Sequence, residues 1–460
     1  MVFDDHGQLH AQAFCNIDTH RQGNQVEHDP EQLVESLRSA AQDAVKQLDR
    51  DADCLVAAGL ATQRSSILCW ERDTGTPLSS VLSWQDTRAG EWLSSFNQYE
   101  DRIHSITGLV LSPHYGVSKL RWCLDHLPRV RQARQHGDLV FGPLASFLAC
   151  RLSDTSPLLA DPANASRTLL CDRDSGDWSD ELLDRFGIPR ECLPEMVSSR
   201  HDWGEVSLGH LSLPITVVTG DQSAALFAFG NPDPDTVYAN LGTGAFLQQT
   251  SGDSTPDPGR LLASVVYQDQ QTSTRVIEAT VNGAGSAINK LADELDIDRN
   301  MLKTNADGWL HSLDAELVYI NAVSGLGSPW WMADVASRFD GPDGASASDA
   351  DRIAAVFESI AFLITVNLET MAKVLDKPER LLVTGGLASV DPLLQRLANL
   401  AGLAVERAES REATARGLAF LLAGLPDRWP GARISHSFVP TDNPGLSQRY
   451  RYWRSLMEKL

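Results

Sequence analysis

Ile215-Thr216-Val217-Val218-Thr219-Gly220-Asp221-Gln222 is the stretch on which the fold turns. Its first six residues form a β-branched run that predicts a strand, and an acid and an amide follow at once. Residues 223–229 are small and apolar and predict a helix. Residues 236–246 predict a second extended run, broken by Gly242-Thr243-Gly244. Open α/β sheets hold their ligands at the carboxyl ends of strands, which is where Asp221 falls. A Gly-Thr-Gly turn can aim backbone N–H groups and a hydroxyl at an anion. Each part alone also has a plainer reading: Asp221 as the cap of the next helix, the glycines as a hairpin turn. In this order the two suggest a base beside a phosphate cradle.

Working outward, strand-like and helical segments alternate along the chain, which predicts an α/β fold. Residues 52–60 and 66–70 read as strands, with Glu71-Arg72-Asp73-Thr74-Gly75 as the hairpin after the second. Residues 30–48, 118–126, 180–186, 281–295, 349–374 and 391–401 read as helices. Residues 380–384 read as a strand running into Gly385-Gly386-Leu387-Ala388. The Pro-rich Asn231-Pro232-Asp233-Pro234-Asp235 is the best linker, so two α/β halves, 1–234 and 235–460, are expected.

At 460 residues the chain can bury two sizeable cores. Its formal charge of −22 argues against binding nucleic acid, whose phosphates would repel it. The same charge repels ATP in bulk, so a nucleotide site needs local compensation from Mg²⁺ and backbone N–H groups. No apolar stretch is expected to span a bilayer. The acidic start, Met1-Val2-Phe3-Asp4-Asp5-His6, lacks the basic and apolar regions of a secretory signal. Seven scattered cysteines without a Cys-x-x-Cys pair fit reduced thiols in a cytoplasm.

Several segments, in order, resemble the FGGY carbohydrate kinases, and glycerol kinases most of all. They are Val26-Glu27-His28-Asp29-Pro30, Thr62-Gln63-Arg64, Trp84-Gln85-Asp86, Ser118-Lys119-Leu120-Arg121-Trp122 and Asn164-Ala165-Ser166-Arg167-Thr168. Phe186-Gly187-Ile188-Pro189, Gly220-Asp221-Gln222, Gly242-Thr243-Gly244, Ser324-Gly325-Leu326-Gly327 and Gly385-Gly386 complete the set. The resemblance implies two actin-like (ribonuclease H-like) domains with ATP and a polyol or sugar in the cleft between them. It implies Asp221 as general base and as a partner of Mg²⁺ through water. It gives Arg64, Ser65, Trp84, His114, Tyr115, Gln222 and Phe246 to the acceptor pocket. It gives Gly242, Thr243, Gly244, Gly285, Asn289, Gly385, Gly386 and Leu387 to the nucleotide. A cytoplasmic homodimer without membrane partners is the accompanying expectation.

The sequence departs from the glycerol-kinase pattern at four places. Ser65 replaces a glutamate after Gln-Arg, which removes an acceptor of hydrogen bonds and opens space. His114 stands at the pocket tyrosine, with Tyr115 beside it. Val390 replaces an asparagine near the adenine. Family members begin with a strand ending in Asp-x-Gly-Thr-Thr, whereas Met1 to Gly7 matches the strand after that loop. A start upstream of Met1 is the expectation here. The alternatives are a nucleotide- or sugar-binding regulatory protein without kinase activity, or an ATPase on the same fold.

Overall fold

The computed structural model describes residues 1–298, 301–302, 305–311, 317–341, 347–409 and 412–460. The first half of the chain builds two larger sheets, beside two small two-stranded ones. The five-stranded one runs His20–Gln22, Gln25–His28, Val81–Leu82, Ile67–Glu71, Leu139–Pro143, antiparallel throughout. In the three-stranded one, Leu211–Gly220 lies between antiparallel Glu205–Leu208 and parallel Ala58–Thr62. Thr219 pairs with Ala61 and Gly220 with Thr62, so Asp221 and the Arg64 loop leave the sheet side by side.

The second half is organised on a seven-stranded mixed sheet. Its order is Leu262–Gln268, Ser273–Val281, Ala245–Gly252, Thr236–Leu241, Arg380–Thr384, Ala404–Glu409, Arg433–Phe438. Helix Asp349–Met371 fills its core, started by a capping box in which Ser348 and Asp351 satisfy each other's backbone N–H. This helix corrects the expectation that no stretch could span a bilayer: it is long and apolar enough. Here 89% of its most apolar window is buried inside the protein, because apolar residues surround its whole circumference.

Several boundaries shift from the sequence reading, among them the helix read at 223–229, which is Asp221–Leu226, and two have a clear cause. Residues 49–54 form a 3-10 helix, and the strand expected at 52–60 is Ala58–Thr62. Asp49, Asp51 and Asp53 disfavour extended pairing, and the strand begins only beyond them, at Ala58. The helix expected from 281 begins at Gly285, because Val281 still pairs with Ala245.

Late in the sequence, helix Ala413–Leu422 returns to the first half and packs on helix Asp221–Leu226 and strand Ala58–Thr62. Gly417 permits this: a Cβ there would sit 1.8 Å from the Ala224 carbonyl oxygen. Five of the seven cysteines are buried, while Cys15 and Cys54 are exposed.

Candidate active site

Asp221 opens its helix at the end of strand Leu211–Gly220. Its Oδ1 accepts the Gln222 N–H at 2.7 Å, and its backbone carbonyl accepts from Thr414 Oγ1 at 3.1 Å. Burial pushes its carboxyl above the ordinary carboxylate range, with the charge of Arg64 pulling the other way. The Arg64 side chain crosses directly over Gly220, where a Cβ would lie 2.5 Å from its Cδ. The helix-cap reading of Asp221 receives no support, since helix Asp221–Leu226 has no side-chain cap.

The acceptor candidates from the first half converge through hydrogen bonds. Ser66 Oγ accepts the Trp84 N–H at 2.9 Å, and His114 Nδ1–H donates to the Trp84 carbonyl at 3.1 Å. Ser65 is in the left-handed region, φ 64°, and its hydroxyl donates to the Arg167 carbonyl at 3.3 Å. Lys119, fully buried, donates to the carbonyls of Ser65 (2.9 Å) and His114 (2.7 Å) and so ties the two loops together. Burial lowers its ammonium to about 7. His114 stands exposed, whereas Tyr115 is buried among core side chains with its hydroxyl at Arg167. The two adjacent residues therefore face different surroundings.

Trp84 and Phe246 are each 43% exposed, a large area for aromatic rings in otherwise well-buried surroundings. Phe246 lies on strand Ala245–Gly252 two residues before Gln248, on the same face of the sheet. Gln248 pairs in register with Glu278, and its amide donates to Glu278 Oε1 at 3.3 Å.

The phosphate side is built from backbone. The Gly242 and Thr243 carbonyls accept from the N–H groups of Gly285, Ala284 and Ser286 at 3.0–3.1 Å. That leaves the N–H groups of Thr243 and Gly244 without partners among the described residues. Gly244 and Gly285 are required by close approach: a Cβ on either would meet a carbonyl oxygen at 2.8 or 2.7 Å. Asn289 is half-buried one turn after Gly285. Gly385, φ 94°, packs against the Leu241 carbonyl, while beside Gly386 the space is open. Leu387 and Val390 are each 1% exposed and belong to the second core. Leu387 can offer a ligand only backbone, and the Val390 side chain packs into that core.

Residues 1–228 match the N-terminal domain of the FGGY family of carbohydrate kinases, and residues 237–424 match its C-terminal domain. The chain belongs to the FGGY family of carbohydrate kinases. It is 30% identical to a glycerol kinase of Alcanivorax borkumensis, over all of this chain and 95% of that one. It is 32% identical to a glycerol kinase of Deinococcus radiodurans, over 92% and 86% of the two. Among solved structures it is similar to a Plasmodium falciparum glycerol kinase with ADP, TM-score 0.85, 23% identity, covering 97% and 92%. It is also similar to a xylulose kinase from Rhodospirillum rubrum, TM-score 0.83, 18% identity, covering 97% and 92%. The protein is thus a carbohydrate kinase of the two-domain actin-like fold.

Four residues at the candidate site carried no role in the sequence reading. Arg167 and Lys119 sat inside quoted motifs, and Gln248 and Glu278 in none. Glu278 did give a signal: it is the one charge in the run Val276-Ile277-Glu278-Ala279-Thr280-Val281. A carboxylate in an otherwise apolar strand needs buried partners.

Proposed function

We propose that this kinase transfers the γ-phosphoryl group of ATP to a hydroxyl of a small polyol or sugar, glycerol among them, with Asp221 as general base. The observation that carries the proposal is a buried carboxylate within the electrostatic reach of the Arg64 side chain, both at the carboxyl ends of paired strands. Arg64 donates to acceptor hydroxyls, and Trp84 and Phe246 offer apolar faces to carbon–hydrogen edges. His114 and Gln222 complete the rim, and Ser65 leaves room for an acceptor larger than glycerol. The acceptor oxygen attacks the γ-phosphorus, its proton passes to Asp221, and the bond to the β–γ bridging oxygen breaks, releasing ADP. The upward displacement of the Asp221 pKa makes it a better proton acceptor.

The unpaired N–H groups at Thr243 and Gly244 and the open space beside Gly386 fit a nucleotide. Among the described residues no three His, Cys, Asp or Glu side chains gather to cage a metal. Mg²⁺ bound mainly by ATP oxygens and water, with Asp221 as its one protein carboxylate, suits that arrangement. When bound, Mg²⁺ supplies neutralisation of phosphate charge. We further propose that the two domains divide at 234/235, and that the protein works in the cytoplasm as a homodimer. The division is supported by the linker composition, the location by the five buried thiols.

Asp221→Asn is expected to lower kcat by roughly 10²- to 10⁴-fold while ATP affinity stays nearly unchanged. Turnover measured with Mg·ATP against a polyol and ketose panel, with ATP binding by calorimetry, checks this. Retained turnover in the variant would remove Asp221 from the role.

A further inference from the structure

Glu278 lies on strand Ser273–Val281 of the second half, yet its carboxylate is held by two arginines of the first. Arg167 pairs with its Oε2, and Arg64 Nη1 approaches its Oε1 at 3.4 Å. The Glu278 and Arg167 side chains are each 7% exposed, that of Arg64 12%. Gln248 donates to the same carboxylate, and the Tyr115 hydroxyl lies at Arg167. Two guanidiniums buried this close repel each other, and Glu278 is the carboxylate that both contact.

We propose that Glu278 is the positioning residue of the acceptor pocket: it reaches across from the second domain, fixes the direction of Arg64, and latches the two domains at the acceptor. This rests on the reading of Arg64 as an acceptor ligand given above. Three features carry it. Arg64 has two anionic neighbours, Asp221 on its own domain and Glu278 opposite, so its guanidinium is set between base and latch. Gln248 and Phe246 share the face of strand Ala245–Gly252 that borders Glu278, which places an apolar acceptor wall beside the latch. The Arg167 backbone carbonyl accepts from both Ser65 Oγ and the Gly116 N–H, so one arginine links the latch to the loops bearing Ser65 and His114. Burial would raise the Glu278 carboxyl, but Arg167 and Arg64 override it and hold it down at about 2. The latch is therefore charged throughout the neutral range.

The test uses Glu278→Gln and Glu278→Asp, each made in the wild-type and in the Arg64→Met background. Glu278→Gln should raise acceptor KM roughly 10- to 100-fold while ATP KM stays within about twofold. Glu278→Asp should recover part of the loss, and in the Arg64→Met background Glu278→Gln should add little. An unchanged acceptor KM, or the same factor in both backgrounds, overturns the proposal. If the wild-type kinase phosphorylates no polyol or sugar, the functional reading fails and hydrogen exchange judges the latch. Glu278→Gln must then speed exchange together at residues 62–68, 164–168 and 276–280. Unchanged exchange there overturns the latch even so, and protection retained elsewhere shows that the variant has folded.

Discussion

Glu358 and Glu278 are both buried carboxylates held by two arginines, and the contrast between them separates structure from function. Glu358 is on helix Asp349–Met371 and binds Arg396 (3.0 Å) and Arg449, the latter through two bonds of 2.7 Å. All three belong to helices of the second half and close around one core. Glu278 has the same chemistry, but its arginines come from the other half of the chain. A cluster inside one domain can respond only by unfolding that domain. A cluster across two domains can open while both remain folded, and it would open at the proposed acceptor pocket.

The largest effect expected from this comparison is on stability. Glu358→Gln leaves two buried arginines without their carboxylate and should cost about 3–5 kcal/mol. Thermal and urea unfolding should register it, while both KM values stay at wild type. A shifted acceptor KM in Glu358→Gln would break the comparison. Next comes Gly417→Ala, which pushes helix Ala413–Leu422 off helix Asp221–Leu226 and should cost about 1–3 kcal/mol. Because Thr414 holds the Asp221 carbonyl, kcat should fall with it, and unfolding curves read beside turnover will show whether the two move together.

The smallest effect is at Lys119, where no domain boundary is crossed. Lys119→Met should raise acceptor KM by roughly tenfold or less, since it removes two charged hydrogen bonds to the pocket loops. The wild type should show a pH dependence that the variant lacks. The native ammonium loses its proton near pH 7, the unfolded one near 10.5. Between these values the unfolded chain binds the extra proton, so the cost of burying the charge is full below 7 and fades as pH rises. Acceptor KM should climb around pH 7, where the folded ammonium loses its proton and the pocket loops lose a charged donor. Asp86 favours the charged form, Arg88 opposes it, and His114 borders the group. Titrating stability and KM of both proteins from pH 6 to about 10 would sharpen the contrast with Glu278.

What could be read from the sequence follows from what kind of atom does the work. The strand into Asp221 and the turn Gly242-Thr243-Gly244 were legible because β-branched runs and glycines announce backbone geometry. The 3-10 helix at Asp49–Cys54 was missed because alternating polar and apolar residues imitate a strand. Glu278, Arg167 and Lys119 act through side chains that meet only after folding, from positions 111 and 54 residues away from their partners Arg167 and Ser65. No local pattern encodes such meetings. His114 and Tyr115 show the same limit at its narrowest: adjacent in sequence, one reaches solvent and the other the core.

The return of helix Ala413–Leu422 onto helix Asp221–Leu226 has a consequence for synthesis. Thr414 lies 193 residues downstream of Asp221, whose backbone carbonyl it braces. At about 5–20 residues per second, the ribosome supplies it roughly 10–40 s after Asp221. Through that interval the first domain has its strands but lacks one wall, and the apolar side of strand Ala58–Thr62 waits uncovered. The proposed catalytic site is thus among the last parts of the nascent chain to be closed.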